Sequence, residues 1–179
     1  MRSLTLLLTV LTAAVAISSC TGLISSAAQN TASTHTVYLV RHAEKQPGDD
    51  PSLTRDGLVR AETLAELLSG AGIEKVWSSD YRRTRETAAP LAERLDIGVD
   101  IYDASDLQTL ANAIAAEGAT TLVVGHSNTT PALAELLGAD PGEPIVEANE
   151  YDRLYVIRRN ADATVSSEIQ RFGARYEPE

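Results

Sequence analysis

Three short stretches gather the groups that could do chemistry on an anion. Arg41-His42-Ala43-Glu44-Lys45 and Gly125-His126-Ser127-Asn128-Thr129 hold two of the three histidines, and Ser78 to Ala88 carries Arg82, Arg83 and Arg85. Guanidinium forks bind oxyanions through parallel N–H bonds, and an imidazole can act as a nucleophile or move a proton near neutral pH. Phosphoryl transfer needs such a set: a positioned nucleophile, and positive charge around three equatorial oxygens. No His-Glu-x-x-His or comparable ligand pair occurs, so neither a metal nor another cofactor is expected.

These stretches must be brought together by the elements around them. Thr36 to Val40 is a β-branched run that reads as a buried first strand, ending at Arg41-His42. Leu58, Ala61, Leu64, Ala65 and Leu68 recur at helical spacing, with Thr54 as N-cap and Gly70 and Gly72 as the stop. Strands at 76–78, 99–101 and 121–125 then alternate with helices at 84–95, 106–117 and 130–137, and strands at 154–157 and 164–169 close the chain. This alternation predicts an α/β fold: a three-layer sandwich with a mainly parallel central sheet, helices on both faces, and ligands at the carboxyl ends of the strands. Both histidine motifs and the arginine cluster fall at those ends, the last at the start of a helix, where unpaired backbone N–H groups favour anions.

In these motifs the chain resembles the histidine phosphatase superfamily, also called phosphoglycerate mutase-like. The family's R-H-G or R-H-A turn, its S-S-x-x-x-R-A-x-x-T-A stretch and its G-H-x motif correspond to Leu39 to Glu44, Ser78 to Ala88 and Val124 to Ser127. The resemblance runs over residues 36–158 and implies that His42 is the nucleophile and becomes a phosphohistidine. It also implies that Arg41, Arg83 and His126 form the phosphate pocket without a metal. Arg82 falls on a variable position and, like Arg85, is expected to be solvated. The general acid differs in place among family members; Asp103, just past the third strand, is the first candidate, and Glu44 is the second. A desolvated Asp103 would have the raised pKa that proton donation requires. Its alternative is a loop carboxylate; for Glu44 it is orienting an arginine. Ser127 and Asn128 either donate to a phosphate oxygen or, as is the favoured expectation, cap the following helix. Tyr81 and Trp77 either flank the pocket mouth or pack. His35 is expected to sit inert before strand one. The short separation of Arg83 and His126 leaves no room for the insertion that covers the site in cofactor-dependent mutases. An open pocket is therefore expected, as in small bacterial phosphohistidine phosphatases.

Composition limits the partners. The 179 residues suffice for one domain and exclude tandem catalytic domains, and 44% hydrophobic with 22% charged residues fits a globular chain. A net charge of -10 opposes nucleic-acid binding, so a small phosphorylated substrate is expected, held locally by arginines. Residues 1–19 carry Arg2 and an apolar run from Leu4 to Ile17, which reads as an export signal. Ile17-Ser18-Ser19-Cys20 resembles a bacterial lipobox, implying lipidation at Cys20, the sole cysteine, and attachment to the membrane of the cell envelope. Residues 20–34, rich in Ser, Ala, Thr and Asn, read as a flexible tether, and residues 35–179 as the phosphatase-like domain. The sequence carries no signal for oligomeric state.

Overall fold

The computed structural model describes residues 34–177; the expected leader and Cys20 lie outside the described residues, as does nearly all of the expected tether. The chain runs β1 (His35–Arg41), α1 (Arg55–Leu68), β2 (Lys75–Ser79), α2 (Arg82–Leu95), β3 (Val99–Tyr102), α3 (Leu107–Glu117), β4 (Thr121–Gly125), α4 (Thr129–Leu136), β5 (Arg153–Arg159) and β6 (Val165–Arg171). These strands form one six-stranded sheet in the order β3-β2-β4-β1-β5-β6. The central pairs β1–β4, β2–β4 and β2–β3 are parallel, whereas β5 joins β1 antiparallel and continues into an antiparallel hairpin with β6.

Alternation along the strands divides the core into two layers, as the side-chain period of two requires. Val37, Leu39, Val123, Tyr155 and Ile157 face one side and pack with Leu110, Ile114 and Leu133 of α3 and α4. Val40, Leu122, Val124, Leu154 and Val156 face the other, against Leu64, Ala65 and Leu68 of α1 and Ala88 and Leu91 of α2. This is the expected three-layer arrangement, and it leaves the carboxyl ends of β1, β2 and β4 side by side.

Local chemistry sets the element ends. Thr54 caps α1 by accepting from the Gly57 backbone N–H at 3.0 Å, and its own N–H donates to the Glu44 carbonyl at 2.8 Å. A Cβ at Gly57 would stand 2.2 Å from that carbonyl, so glycine lets the first turn of α1 lie against the loop that leaves β1. The buried stripe of α1 is Gly57, Arg60, Ala61, Leu64, Ala65 and Leu68. Leu58, which the spacing had assigned to it, is 52% exposed because the stripe passes through its neighbour Gly57. Helix α2 contains Pro90 without breaking. His35, expected ahead of the first strand, opens β1 opposite Arg159 and is buried. Among the described residues, no helix is long and apolar enough to cross a membrane.

Candidate active site

His42 emerges from β1 directly beside β4: its backbone N–H donates to the Gly125 carbonyl at 2.9 Å, and the side chain is only 3% exposed. Its Nδ1 lies 2.8 Å from the Ala43 carbonyl, an oxygen that can only accept. That contact assigns the ring proton to Nδ1 and leaves the lone pair on Nε2. Burial, assisted by the charges of Arg41 and Arg83, pushes the pKa of His42 down to about 3, so the ring is neutral at physiological pH. The Ala43 N–H donates to Thr87 Oγ1 of α2 at 3.0 Å, which fixes the turn carrying the imidazole.

His126 follows β4, and its ring meets that of His42 edge-on with centroids 5.5 Å apart. Its Nε2 lies 2.9 Å from Ser79 Oγ at the end of β2. Ser79 Oγ donates to Thr84 Oγ1, which in turn donates to backbone carbonyls of Ser79 and Tyr81. With its single hydrogen so used, Ser79 accepts from His126 Nε2–H, which leaves Nδ1 as the free nitrogen. Burial and the charges of Arg83 and Arg41 hold this histidine down to about 4. Gly125, just before it, is required for space: a Cβ would lie 2.8 Å from Thr129 Oγ1, 2.9 Å from Tyr102 Oη and 3.1 Å from Thr130 Oγ1.

Helix α2 contributes Arg83 from its first turn. The guanidinium lies 4.3 Å over the Tyr81 ring, and Nη1 is 3.8 Å from Asp50 Oδ1. The same Asp50 oxygen accepts from the Arg82 backbone N–H at 2.7 Å, supplying from the 44–52 loop the cap that Tyr81 cannot give. Arg83 Nε is buried and lacks a hydrogen-bond partner. Arg82 and Arg85 are exposed, the latter paired with Asp80, in line with the solvated role expected of them.

Arg41 is 2% exposed, and most of its guanidinium is spent on main chain. Nη1 donates to the carbonyls of Glu150 (3.0 Å) and Val146 (3.4 Å), Nη2 donates to that of Glu147 (2.7 Å), and the group stacks 4.1 Å over Tyr151. Its Nε, like that of Arg83, is buried without a partner. Arg41 therefore clamps the segment between α4 and β5 while leaving a donor over. That segment is fixed in turn by Glu150, whose carboxylate accepts from Val146 N–H (2.8 Å), Arg153 (2.6 Å) and Arg171 (2.8 Å). Burial works against the charge on Glu150, yet these bonds hold its pKa below the usual carboxylate range.

His42, Arg83, His126 and Ser127 line one open cavity of about 580 Å³, together with Lys45, Tyr81, Ala104, Ser105, Asn128, Thr129 and Glu147. Arg41 stands behind this lining. Asp103 is not brought to it, and its carboxylate accepts from Ser105 N–H (2.8 Å) and Oγ (2.7 Å) in an exposed turn. Those bonds lower its pKa, the reverse of the raised value expected of a proton donor. Glu44 makes a bidentate pair with Arg60 (2.8 to 3.0 Å), which anchors the carbonyls of Phe172 and Ala174; its role is to orient an arginine. Asn128 caps α4 by position but makes no side-chain cap bond, and Thr129 Oγ1 accepts from His126 N–H instead, so the capping expected of Ser127 and Asn128 falls to Thr129. Tyr81 flanks the cavity, 41% exposed, whereas Trp77 packs against the α3–α4 core under Lys75. Lys45, Ser105 and Glu147 were not singled out from sequence. Lys45 adjoins the Arg41-His42 motif, but Glu147 sits in a loop with no periodic or motif signal.

Two neutral imidazoles, the Arg83 guanidinium and the N-termini of α2 and α4 thus border a space suited to an oxyanion, with Arg41 directly behind it. Residues 37–108 match the histidine phosphatase superfamily (branch 1). Over 74 residues the chain is 39% identical to the probable phosphoglycerate mutase GpmB of Proteus mirabilis, an alignment covering 36% of this chain and 34% of that relative. The chain thus spans about a third of the curated relative it matches. Among solved structures, the mycobacterial glucosyl-3-phosphoglycerate phosphatase superimposes with a TM-score of 0.60 at 15% identity, covering 79% of this chain and all of that one. The protein histidine phosphatase SixA in complex with tungstate gives 0.59 at 21% identity, covering 76% and 96%. Motif, sequence match and fold agree: over residues 37–108 the chain is similar to the histidine phosphatase superfamily, and its fold is that of the solved phosphatases it superimposes on.

Proposed function

We propose that this protein is a phosphomonoester phosphatase that works through a phosphohistidine on His42, and that it is exported and tethered to the cell envelope by a lipid on Cys20. The match of residues 37–108 to the superfamily supports phosphatase activity in general. The observation that carries the finer reading is the His42 tautomer: with the ring proton held by the Ala43 carbonyl, Nε2 keeps its lone pair in a cavity that Arg83 and His126 also line.

In the first step His42 Nε2 attacks phosphorus in line, the P–O ester bond breaks, and the bond pair leaves with the alkoxide oxygen, which takes a proton to become an alcohol. Arg41, Arg83 and His126 hold the three equatorial oxygens, and His126 takes up a proton on its free Nδ1 as the dianion enters. In the second step water attacks phosphorus and gives up a proton, the P–N bond breaks, and its electron pair returns to Nε2.

The test is the intact mass of the full-length chain after mixing with nitrophenyl phosphate and an alkaline quench, at which phosphohistidine survives. A phosphate-sized adduct or steady turnover, absent in His42→Ala, is the expected result. Neither in the parent, with inorganic phosphate still raising its melting temperature, would mean a phosphate-binding lipoprotein instead. A second reading, a phosphatase of phosphohistidine on proteins, draws support from the open cavity and from the neighbour that is a protein histidine phosphatase. It predicts that a phosphohistidine peptide outcompetes small esters.

A further inference from the structure

We infer that Glu147 is the proton donor to the leaving group, a role that rests on the phosphatase reading above. The proton has to come from the cavity wall, and among the described residues lining it Glu147 is the only carboxylate. The other acids near the motifs are committed elsewhere: Asp103 to Ser105, Glu44 to Arg60, Asp50 to the start of α2, Asp80 to Arg85, and Glu86 to the Leu53 N–H. The two histidines are committed as well. His42 is the nucleophile, and His126 lies beside it, edge-on at 5.5 Å, where it reaches equatorial oxygens. In-line attack from the buried His42 puts the departing oxygen on the far side of phosphorus, toward the open mouth, where Glu147 is exposed.

The position of Glu147 is tied to the catalytic motif. Its carbonyl accepts from Arg41 Nη2 at 2.7 Å, and Glu150 pins the preceding residue through the Val146 N–H at 2.8 Å. The arginine next to the nucleophile thus sets the donor's backbone. Across the cavity Glu147 shares the lining with His42, His126, Arg83, Lys45 and Tyr81. A bound phosphate dianion neutralises Arg83 and Lys45, and a carboxylate beside a dianion gains by taking up a proton. The Glu147 carboxyl then gives that proton to the leaving oxygen as the P–O bond breaks. In the second step the carboxylate takes a proton from the attacking water, which restores the acid.

The test compares full-length wild type, Glu147→Gln and Glu147→Asp on nitrophenyl phosphate and on butyl phosphate. A nitrophenolate leaves without help, whereas a butoxide needs the proton. Glu147→Gln is expected to lose about 100-fold or more in kcat on butyl phosphate and only a few-fold on nitrophenyl phosphate, with partial recovery in Glu147→Asp. Retained nitrophenyl turnover also shows that the variant folds. Equal losses on both esters, or no loss on butyl phosphate, would overturn the assignment while His42-dependent turnover remained. Absence of His42-dependent turnover in the wild type would instead remove the phosphatase reading, and this role with it.

Discussion

Lowering the pH from 8 to 5 should cost this fold stability through its two active-site histidines. In the folded chain burial holds His42 down to about 3 and His126 to about 4, with the nearby arginines adding to both shifts. An unfolded histidine titrates near 6.5, so below that pH the unfolded state binds protons that the native state refuses. The stabilisation is complete above about pH 7 and declines as pH falls through 6.5 toward the folded values. At pH 5 linkage gives a loss of about 2 kcal/mol for each ring, hence about 4 kcal/mol together, against a typical total of about 5–15 kcal/mol. The buried carboxylates of Glu150 and Asp152 are held below their ordinary values, so their contribution disappears only at lower pH and leaves this window to the histidines. Urea denaturation of wild type, His42→Asn and His126→Asn at pH 8, 7, 6 and 5 measures it. The readout is the change with pH, which is insensitive to any constant effect of the substitution. Wild type should lose about 4 kcal/mol across the range and each variant about 2 kcal/mol. Equal pH dependence in wild type and His42→Asn would refute the claim that the nucleophile is kept neutral by its burial.

Three further outcomes follow from the same geometry. Arg83→Ala removes a charged donor with a free Nε–H and should weaken binding of inorganic phosphate about 10- to 100-fold, measured by titration calorimetry. Gly125→Ala puts a Cβ within 3.1 Å of three hydroxyl groups and should cost about 1–3 kcal/mol in urea denaturation, with a fall in kcat as His126 is displaced. Asp103→Asn, in an exposed turn outside the cavity lining, should change kcat on alkyl phosphates by no more than about twofold; a loss near 100-fold would return the acid role to Asp103.

Much of the scaffold was legible because its signals are local. Thr54 caps where the sequence put it, and the strand-end motifs carry His42, His126 and Arg83 to one edge because parallel βα units deliver successive carboxyl ends to the same side. The direction of β5 and β6 was less legible, since the period of two is the same in parallel and antiparallel strands. Leu58 went astray by one position because the α1 stripe includes Gly57 and Arg60, residues that no apolar pattern would select; Arg60 is buried by its pairing with Glu44. Asp103 followed from its place past β3, but a carboxylate one residue from a turn is as readily taken by Ser105, and only three dimensions decide between the two.

The loop from Asp140 to Asn149 reads from sequence only as a variable substrate-facing stretch, and the contacts that fix it escaped the sequence for a more general reason. Arg41 recognises it through the carbonyls of Val146, Glu147 and Glu150, which every residue type possesses, so the contact leaves no mark on the side chains that make it. What it does leave is the cost of holding an irregular loop in place. Glu150 and Asp152 are both 1% exposed, which would be prohibitive without Arg153 and Arg171 paired to them. Such a buried ionic cluster is a poor source of stability compared with apolar packing. It is, however, a directional one: Glu150 has an acceptor for Val146 N–H, and its own carbonyl returns to Arg41. The cluster therefore links the β5–β6 hairpin, through the loop, to the arginine that precedes the nucleophile. On this view the antiparallel extension of the sheet serves the site, because Arg153 and Arg171 project from paired positions on β5 and β6 onto the carboxylate that holds Glu147 at the cavity wall.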